Sequence, residues 1–213
     1  MKSGRHPLAA MTSGMLLLSG GFDSPVAGHM MRERGLSLRG VHFSLEPVTD
    51  DASTSKAREL ARLLGIPDLA IVLVGKAFGE VASKCAHRYY FVLSKRLMVR
   101  LAGALARPAG CDFLITGENL GQVSSQTMQN LAVIDEASAL PVLRPLIGFD
   151  KQEIIDRAKR LGTHDISVGP EICDILGPDR PATWAPLRAI LAEEAKLDVP
   201  ALVDRTLAES AKT

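Results

Sequence analysis

The chain has 213 residues, enough for one generous domain, or one domain with a small C-terminal appendage, whose core needs no covalent staples. Its 46% hydrophobic and 23% charged residues exclude disordered and fibrous classes. With 25 Lys and Arg against 24 Asp and Glu, there is no global basic field to hold a polyanion, so any RNA contact must be local or delegated.

Residues 1–13 show no fold pattern and are expected as a disordered tail. The apolar run Met15–Leu18 is too short for export or for spanning a membrane and is expected as a strand. Four more apolar runs follow at Leu38–Phe43, Leu69–Val74, Phe113–Thr116 and Val142–Ile147. Helical patterns separate them: Pro25–Arg34 before Gly35, Thr54–Leu64 before Gly65, a long stretch over about Val81–Arg107 before Pro108, and Asp150–Leu161 before Gly162. Asp150 stands as an N-cap with Glu153 as its capping-box partner. This alternation predicts an α/β fold, a doubly wound, five-stranded parallel sheet whose strands are covered on both faces. Beyond a Pro-rich connector at 177–181, Trp184–Lys196 and Pro200–Ser210 read as two helices. The expected organisation is a tail over 1–13, one domain over 14–183 and a helical extension over 184–213.

Three cysteines, Cys85, Cys111 and Cys173, lack the paired spacing of a disulfide framework or a metal knuckle, which fits a reducing cytoplasm. Arg88, Lys95, Arg96, Arg100 and Arg107, with Tyr89 and Tyr90 nearby, place charge and aromatic rings on the long helix. A solvated face accounts for that segment better than RNA binding does.

The most informative stretch is Ser19-Gly20-Gly21-Phe22-Asp23-Ser24, which runs from a strand straight into a helix. Backbone N–H groups and a helix N-terminus then converge on one point, suited to phosphate oxygens. Ser19 and Ser24 offer hydroxyls, and Asp23 can hold a magnesium ion between phosphates. The stretch lacks the Gly-Lys-Ser/Thr of a Walker A loop and is not the dinucleotide fingerprint.

Ser-Gly-Gly-x-Asp-Ser after a first strand resembles the PP-loop of ATP pyrophosphatases. Three segments narrow the resemblance: Leu17 to Ala27, Thr116 to Thr127 (Thr-Gly-Glu-Asn-Leu-Gly-Gln-Val-Ser-Ser-Gln-Thr), and Arg144 to Lys151. In order and spacing they resemble the catalytic domain of the thiamine-biosynthesis-type tRNA sulfurtransferases, the tRNA 4-thiouridine synthetases, over about Met15–Thr183. The resemblance implies ATP cleavage between the α and β phosphates, adenylation of a uridine carbonyl in tRNA, and sulfur transfer to that carbon. It also implies a nucleotide site of Leu17, Leu18, Ser19, Gly20, Gly21, Ser24, His42, Phe43, Lys95, Gly117 and Gln126. The catalytic set it implies is Asp23, Lys151 and Cys173, with ATP and Mg2+ as cofactors and a persulfide as sulfur donor.

Taken alone, Leu17, Leu18 and Phe43 read as core, Lys95 and Lys151 as surface lysines, and Cys173 as a small buried residue. Gly117–Thr127 read alone is a helix-initiating loop whose Asn119, Gln122, Ser124, Ser125 and Gln126 can also read a base or ribose. The family's fuller members carry a THUMP region before the domain or a rhodanese domain after it; neither pattern is present in these 213 residues. A separate RNA-binding protein is therefore an expected partner, and a homodimer an open option. Two other functions remain open: amination of a small metabolite by the same adenylation chemistry, and a nucleotide-binding subunit without turnover.

Overall fold

The structure, a computed structural model, describes residues 11–121, 126–169 and 175–211. Strands β1 (Ser13–Leu17), β2 (Ser37–Ser44), β3 (Leu69–Leu73), β4 (Phe113–Ile115) and β5 (Val142–Leu143) form one parallel sheet in the order β3-β2-β1-β4-β5. Alternation along β1 shows why both faces are covered. Met15 and Leu17 point into one core cluster, Leu16 and Leu18 into the other. The second cluster is closed by α1 (Asp23–Glu33), α2 (Ala52–Leu63) and α6 (Lys151–Leu161). The first is closed by α3 (Gly75–Lys84), α4 (Tyr90–Ala106), α5 (Met128–Glu136), α8 (Leu187–Glu194) and α9 (Val199–Ser210). The doubly wound expectation is borne out.

The boundaries differ in instructive places. β1 begins at Ser13 because the Asp112 carboxylate accepts the Thr12 and Ser13 N–H groups, at 2.9 and 3.1 Å. The fifth strand ends at Leu143 instead of Ile147: Pro145 has no N–H for a ladder, and the chain turns through the Ile147 N to Arg144 O bond. The long helix expected over 81–107 is in fact two. α3 stops at Lys84, Cys85 and Ala86 are extended, and a 3-10 turn at His87–Tyr89 leads into α4. A tertiary bond makes the break, since the Ala86 N–H donates to Glu193 Oε2 on α8 at 2.7 Å in place of an intrahelical partner. The capping box of Asp150 and Glu153 is present in both directions, and Gly162 closes α6 at φ 72°. The sequence reading missed α5, capped by Thr127 Oγ1 accepting from Asn130 N, and the short α7 (His164–Ser167).

The basic face proposed for α4 needs correction. Arg96 is completely buried and forms a bidentate pair with Glu194, while its other bonds run to Glu136 and the Val133 carbonyl. Arg100 also binds Glu194 through both of its terminal nitrogens, and Tyr90 lies in the core. These residues are neither a solvated face nor an RNA surface. Arg96 and Arg100 join α4 to α8, and the Leu73 N–H to Ser210 Oγ bond joins the end of β3 to α9.

Candidate functional site

In the sheet order, the chain leaves β1 toward β2 on one side and later returns to its other side as β4. This reversal opens a crevice at the carboxyl ends of β1 and β4, the place where open parallel sheets bind ligands. The glycine loop occupies one wall and the segment after β4 the other.

The loop is shaped by its two serines. The Ser19 N–H donates to Ser24 Oγ at 2.8 Å, the two hydroxyls lie 3.0 Å apart, and the Gly21 N–H donates to Ser19 Oγ at 3.3 Å. Ser24 is buried, so its hydroxyl closes the loop, whereas Ser19 is exposed. The helix that follows begins after Phe22 with no side-chain cap. Its first N–H groups are thus left for an external acceptor, at the positive end of the helix dipole.

Gly117 sets how closely the two walls approach. A Cβ there would lie 2.5 Å from Ser24 N and 2.7 Å from Asp23 C, so only glycine lets the end of β4 sit on the loop. Gln126 holds the neighbouring segment, with its Oε1 accepting from Asn119 N at 3.2 Å and its carbonyl accepting from Gly121 N at 3.0 Å. Lys151, at the start of α6, reaches across to Asp23 Oδ1 at 3.3 Å, and its Nζ stands 5.8 Å from the centre of the Phe22 ring. Both partners keep solvent access, at 49% and 26% exposure, so both can meet a ligand.

The remaining expected residues fall in several places. Leu17 and Phe43 share the face of the first cluster, but Leu18 is buried on the opposite face beside α1. The Leu18 backbone is bonded on both sides, its N–H donating to Val41 O at 2.8 Å and its carbonyl accepting from His42. His42 is buried. Its Nδ1–H donates to Leu18 O at 2.9 Å, which leaves Nε2 to accept from the Ser53 hydroxyl at 3.4 Å. Burial pushes this imidazole below its ordinary pKa, outweighing the Leu18 carbonyl and the Glu46 charge, and so favours the neutral ring that this bonding needs. Lys95 Nζ lies 2.8 Å from Glu118 Oε1. Cys173, Gln122, Ser124 and Ser125 lie outside the described residues.

Sequence reasoning missed Glu118 and Arg144, although both stand inside motifs it quoted. Glu118 is nearly buried and receives Lys95, Arg144 Nε at 2.9 Å and the Thr116 hydroxyl at 3.1 Å. Burial pushes its carboxyl up, but the two cations and their hydrogen bonds outweigh that and hold it below its ordinary value. Arg144 continues the chain of charge to Asp135 through two bonds at 2.9 and 2.6 Å. The available signal was a glutamate three residues beyond a buried strand, where an unpaired charge is costly. Also missed were Lys56 and Ser167, which touch the glycine loop from α2 and α7.

Asp23 suits a magnesium ion shared with phosphates, since such ions use one or two carboxylates and take their other ligands from substrate and water. Among the described residues, no group of three or more His, Cys, Asp or Glu side chains could make an all-protein metal cage. A shallow depression of about 220 Å³, lined by residues such as His29, Glu33 and Arg157, lies between the outer faces of α1 and α6 and shares no residue with the glycine loop. None of the described helices is long and apolar enough to cross a membrane.

Comparison with known proteins agrees with this geometry. The family described as Thiamine biosynthesis protein (ThiI) matches residues 10–199. A probable tRNA sulfurtransferase of Moorella thermoacetica is 41% identical over 210 residues, covering 96% of this chain and 54% of its own length. One from Nocardia farcinica is 43% identical over 210 residues, covering 96% and 51%. The chain thus spans about half the length of the curated relatives it matches. A 4-thiouridine synthetase solved in complex with RNA and bound ATP superposes with a TM-score of 0.87 at 37% identity, over 92% of this chain and 53% of that one. NMN synthetase from Francisella tularensis, at 15% identity and a TM-score of 0.61, shares the fold alone. On the family match and these identities, the chain belongs to the Thiamine biosynthesis protein (ThiI) family.

Proposed function

We propose that this domain binds ATP in the crevice, cleaves it between the α and β phosphates, and adenylates a uridine carbonyl of tRNA that then receives sulfur to give 4-thiouridine. The observation that carries the reading is the uncapped N-terminus of α1 behind Ser19–Ser24, with Asp23 and Lys151 facing each other beside it. The ATP and RNA bound to the superposing synthetase, and the names of the curated relatives, support it.

In this scheme the loop N–H groups and α1 hold the phosphates, and Gly117 and Gln126 shape the nucleotide wall. Lys151 stabilises the charge that grows on the departing pyrophosphate. Asp23 would hold Mg2+, which supplies charge neutralisation between phosphates when bound. The uridine carbonyl oxygen attacks the α phosphorus and pyrophosphate leaves; sulfur then attacks the same carbon, and AMP leaves with the former carbonyl oxygen. Cys173 is the candidate to relay that sulfur: its thiolate would take the outer sulfur of a persulfide donor, whose thiolate leaves. The resulting Cys173 persulfide would attack the carbon, and an external thiol reductant would then cleave the S–S bond, ending in a disulfide with Cys173. We propose further that RNA is gripped by a module beyond the described domain, on this chain or another, that two copies can associate, and that the protein works in the cytoplasm.

Product analysis with the purified chain, magnesium, ATP and unmodified tRNA, with and without a persulfide source, tests the proposal. AMP and pyrophosphate formation that needs tRNA and is lost in Asp23→Ala is the expected result, with thiolation also lost in Cys173→Ser. Turnover indifferent to tRNA would redirect the reading to a small metabolite, and ADP in place of AMP would overturn it.

A further inference from the structure

The glycine loop is also approached, from α2, by a second lysine that no motif marks. Lys56 lies on α2 and passes across Gly20: a Cβ at Gly20 would be 3.5 Å from both Lys56 Cβ and Lys56 Cδ. Its Nζ ends on the Val168 carbonyl at 3.0 Å. Among the described residues, Lys56 forms no ion pair: its stem is half-buried against the glycine loop and its ammonium, at the exposed end, has a neutral partner. Val168 is held there by its neighbours. The Ser167 hydroxyl donates to the Gly21 carbonyl at 3.2 Å, and Gly169, at φ 129°, brings its backbone so close that a Cβ would fall 2.8 Å from Lys56 Nζ. Residues 167–169 thus form a strap across the loop, fastened by Ser167 on one bond and by Lys56 on the other.

We infer that Lys56 is a second phosphate-binding cation of this site, which exchanges the Val168 carbonyl for the β or γ phosphate when a nucleoside triphosphate fills the loop. The inference rests on the proposed ATP reading and deepens it. Both bonds have an ionised donor, but only a phosphate oxygen adds a full negative charge to attract the ammonium, which favours the exchange. With Lys151 on α6 beside Asp23 and Lys56 on α2 beside Gly20, two cations from two helices stand at the loop. Because the same ammonium fastens the strap, nucleotide binding also loosens residues 167–169 from the loop.

The test is calorimetric titration of the full chain with ATP, inorganic pyrophosphate and AMP, comparing wild type, Lys56→Met and Lys56→Arg. Lys56→Met is expected to weaken ATP and pyrophosphate by about tenfold, a difference of about 1.4 kcal/mol, and to leave AMP unchanged, with Lys56→Arg restoring most of the loss. Equal weakening of ATP and AMP would assign Lys56 a purely structural role and overturn the inference, as would unchanged ATP affinity in Lys56→Met. Ser167→Ala keeps the cation and releases the strap, so ATP affinity that is maintained or raised supports the exchange, and a loss equal to that of Lys56→Met overturns it. A wild-type chain that binds no ATP would sink the nucleotide reading itself, whereas wild-type binding beside an indifferent Lys56→Met would sink only the role of Lys56.

Discussion

Lys151 Nζ stands 3.3 Å from Asp23 Oδ1, joining the start of α6 to the start of α1 across the mouth of the crevice. A partly exposed pair of this kind contributes at most about 1 kcal/mol to stability. On the proposed function, the pair instead holds a cation and a carboxylate ready for phosphate and metal. We therefore expect Lys151→Met to fold normally, with an unchanged melting temperature within about 2 °C, and to lose about 10²–10³-fold in the rate of pyrophosphate release. Asp23→Asn should raise the magnesium concentration needed for half-maximal rate, measured by titrating the metal at fixed ATP.

Gly117→Ala should strike the backbone of Asp23 and Ser24, where no side chain can swing away. The clash is expected to cost about 1–3 kcal/mol of stability and to raise the KM for ATP, because the loop itself must move. Urea unfolding and steady-state kinetics on the same preparation would check both effects. Full stability with an unchanged KM would show that the two walls do not meet as described.

Glu118 has a pH signature. Its folded pKa is held below the ordinary value by Lys95 and Arg144 against the opposing push of burial. The stabilisation is therefore complete above the unfolded carboxyl value of about 4.3 and is lost as pH falls through the lower folded value. Glu118→Gln should be several kcal/mol less stable at pH 7, because two cations lose their counter-charge. The gap to wild type should narrow as pH drops below about 4.3, a convergence visible in urea midpoints measured across pH. A gap that stays constant to low pH would exclude this assignment.

Glu194 neutralises both Arg96 and Arg100 from α8. Glu194→Ala should cost about 3 kcal/mol, because the buried Arg96 guanidinium keeps Glu136 but loses its bidentate partner. The double change Arg96→Met with Glu194→Leu should recover most of that loss, and neither variant should alter tRNA affinity, since Arg96 is inside the protein. Weaker tRNA binding in the folded double variant would return the face of α4 to the RNA surface.

The legibility of the elements follows from how local their causes are. β1 and the glycine loop, Gly162 closing α6 and the capping box at Asp150 are all set by neighbours within a few residues, and the chain shows them directly. The break between α3 and α4 was invisible because its cause, Glu193, stands more than a hundred residues away on α8. Thr127 as the cap of α5 was readable in principle, a threonine just before an apolar helical pattern, and was passed over in favour of a polar loop. In the site, Gly117 packs on Asp23 and Lys151 pairs with it, whereas Cys173 lies outside the described residues. The same resemblance named Leu17 and Leu18 together, but strand alternation sends their side chains to opposite faces.

By itself, the sequence determined the class of sheet, the glycine loop at the end of its first strand and the family that both point to, since periodicity and loop chemistry act over short stretches. Folding added every relationship that needs distant segments to meet. It put Glu118 between Lys95 and Arg144, made Arg96 an interior ion pair instead of a surface charge, and laid Lys56 and Ser167 against the loop from two further helices. The physical reason is desolvation. A charge written in a sequence has no environment until packing removes its water, and only then does its partner become compulsory.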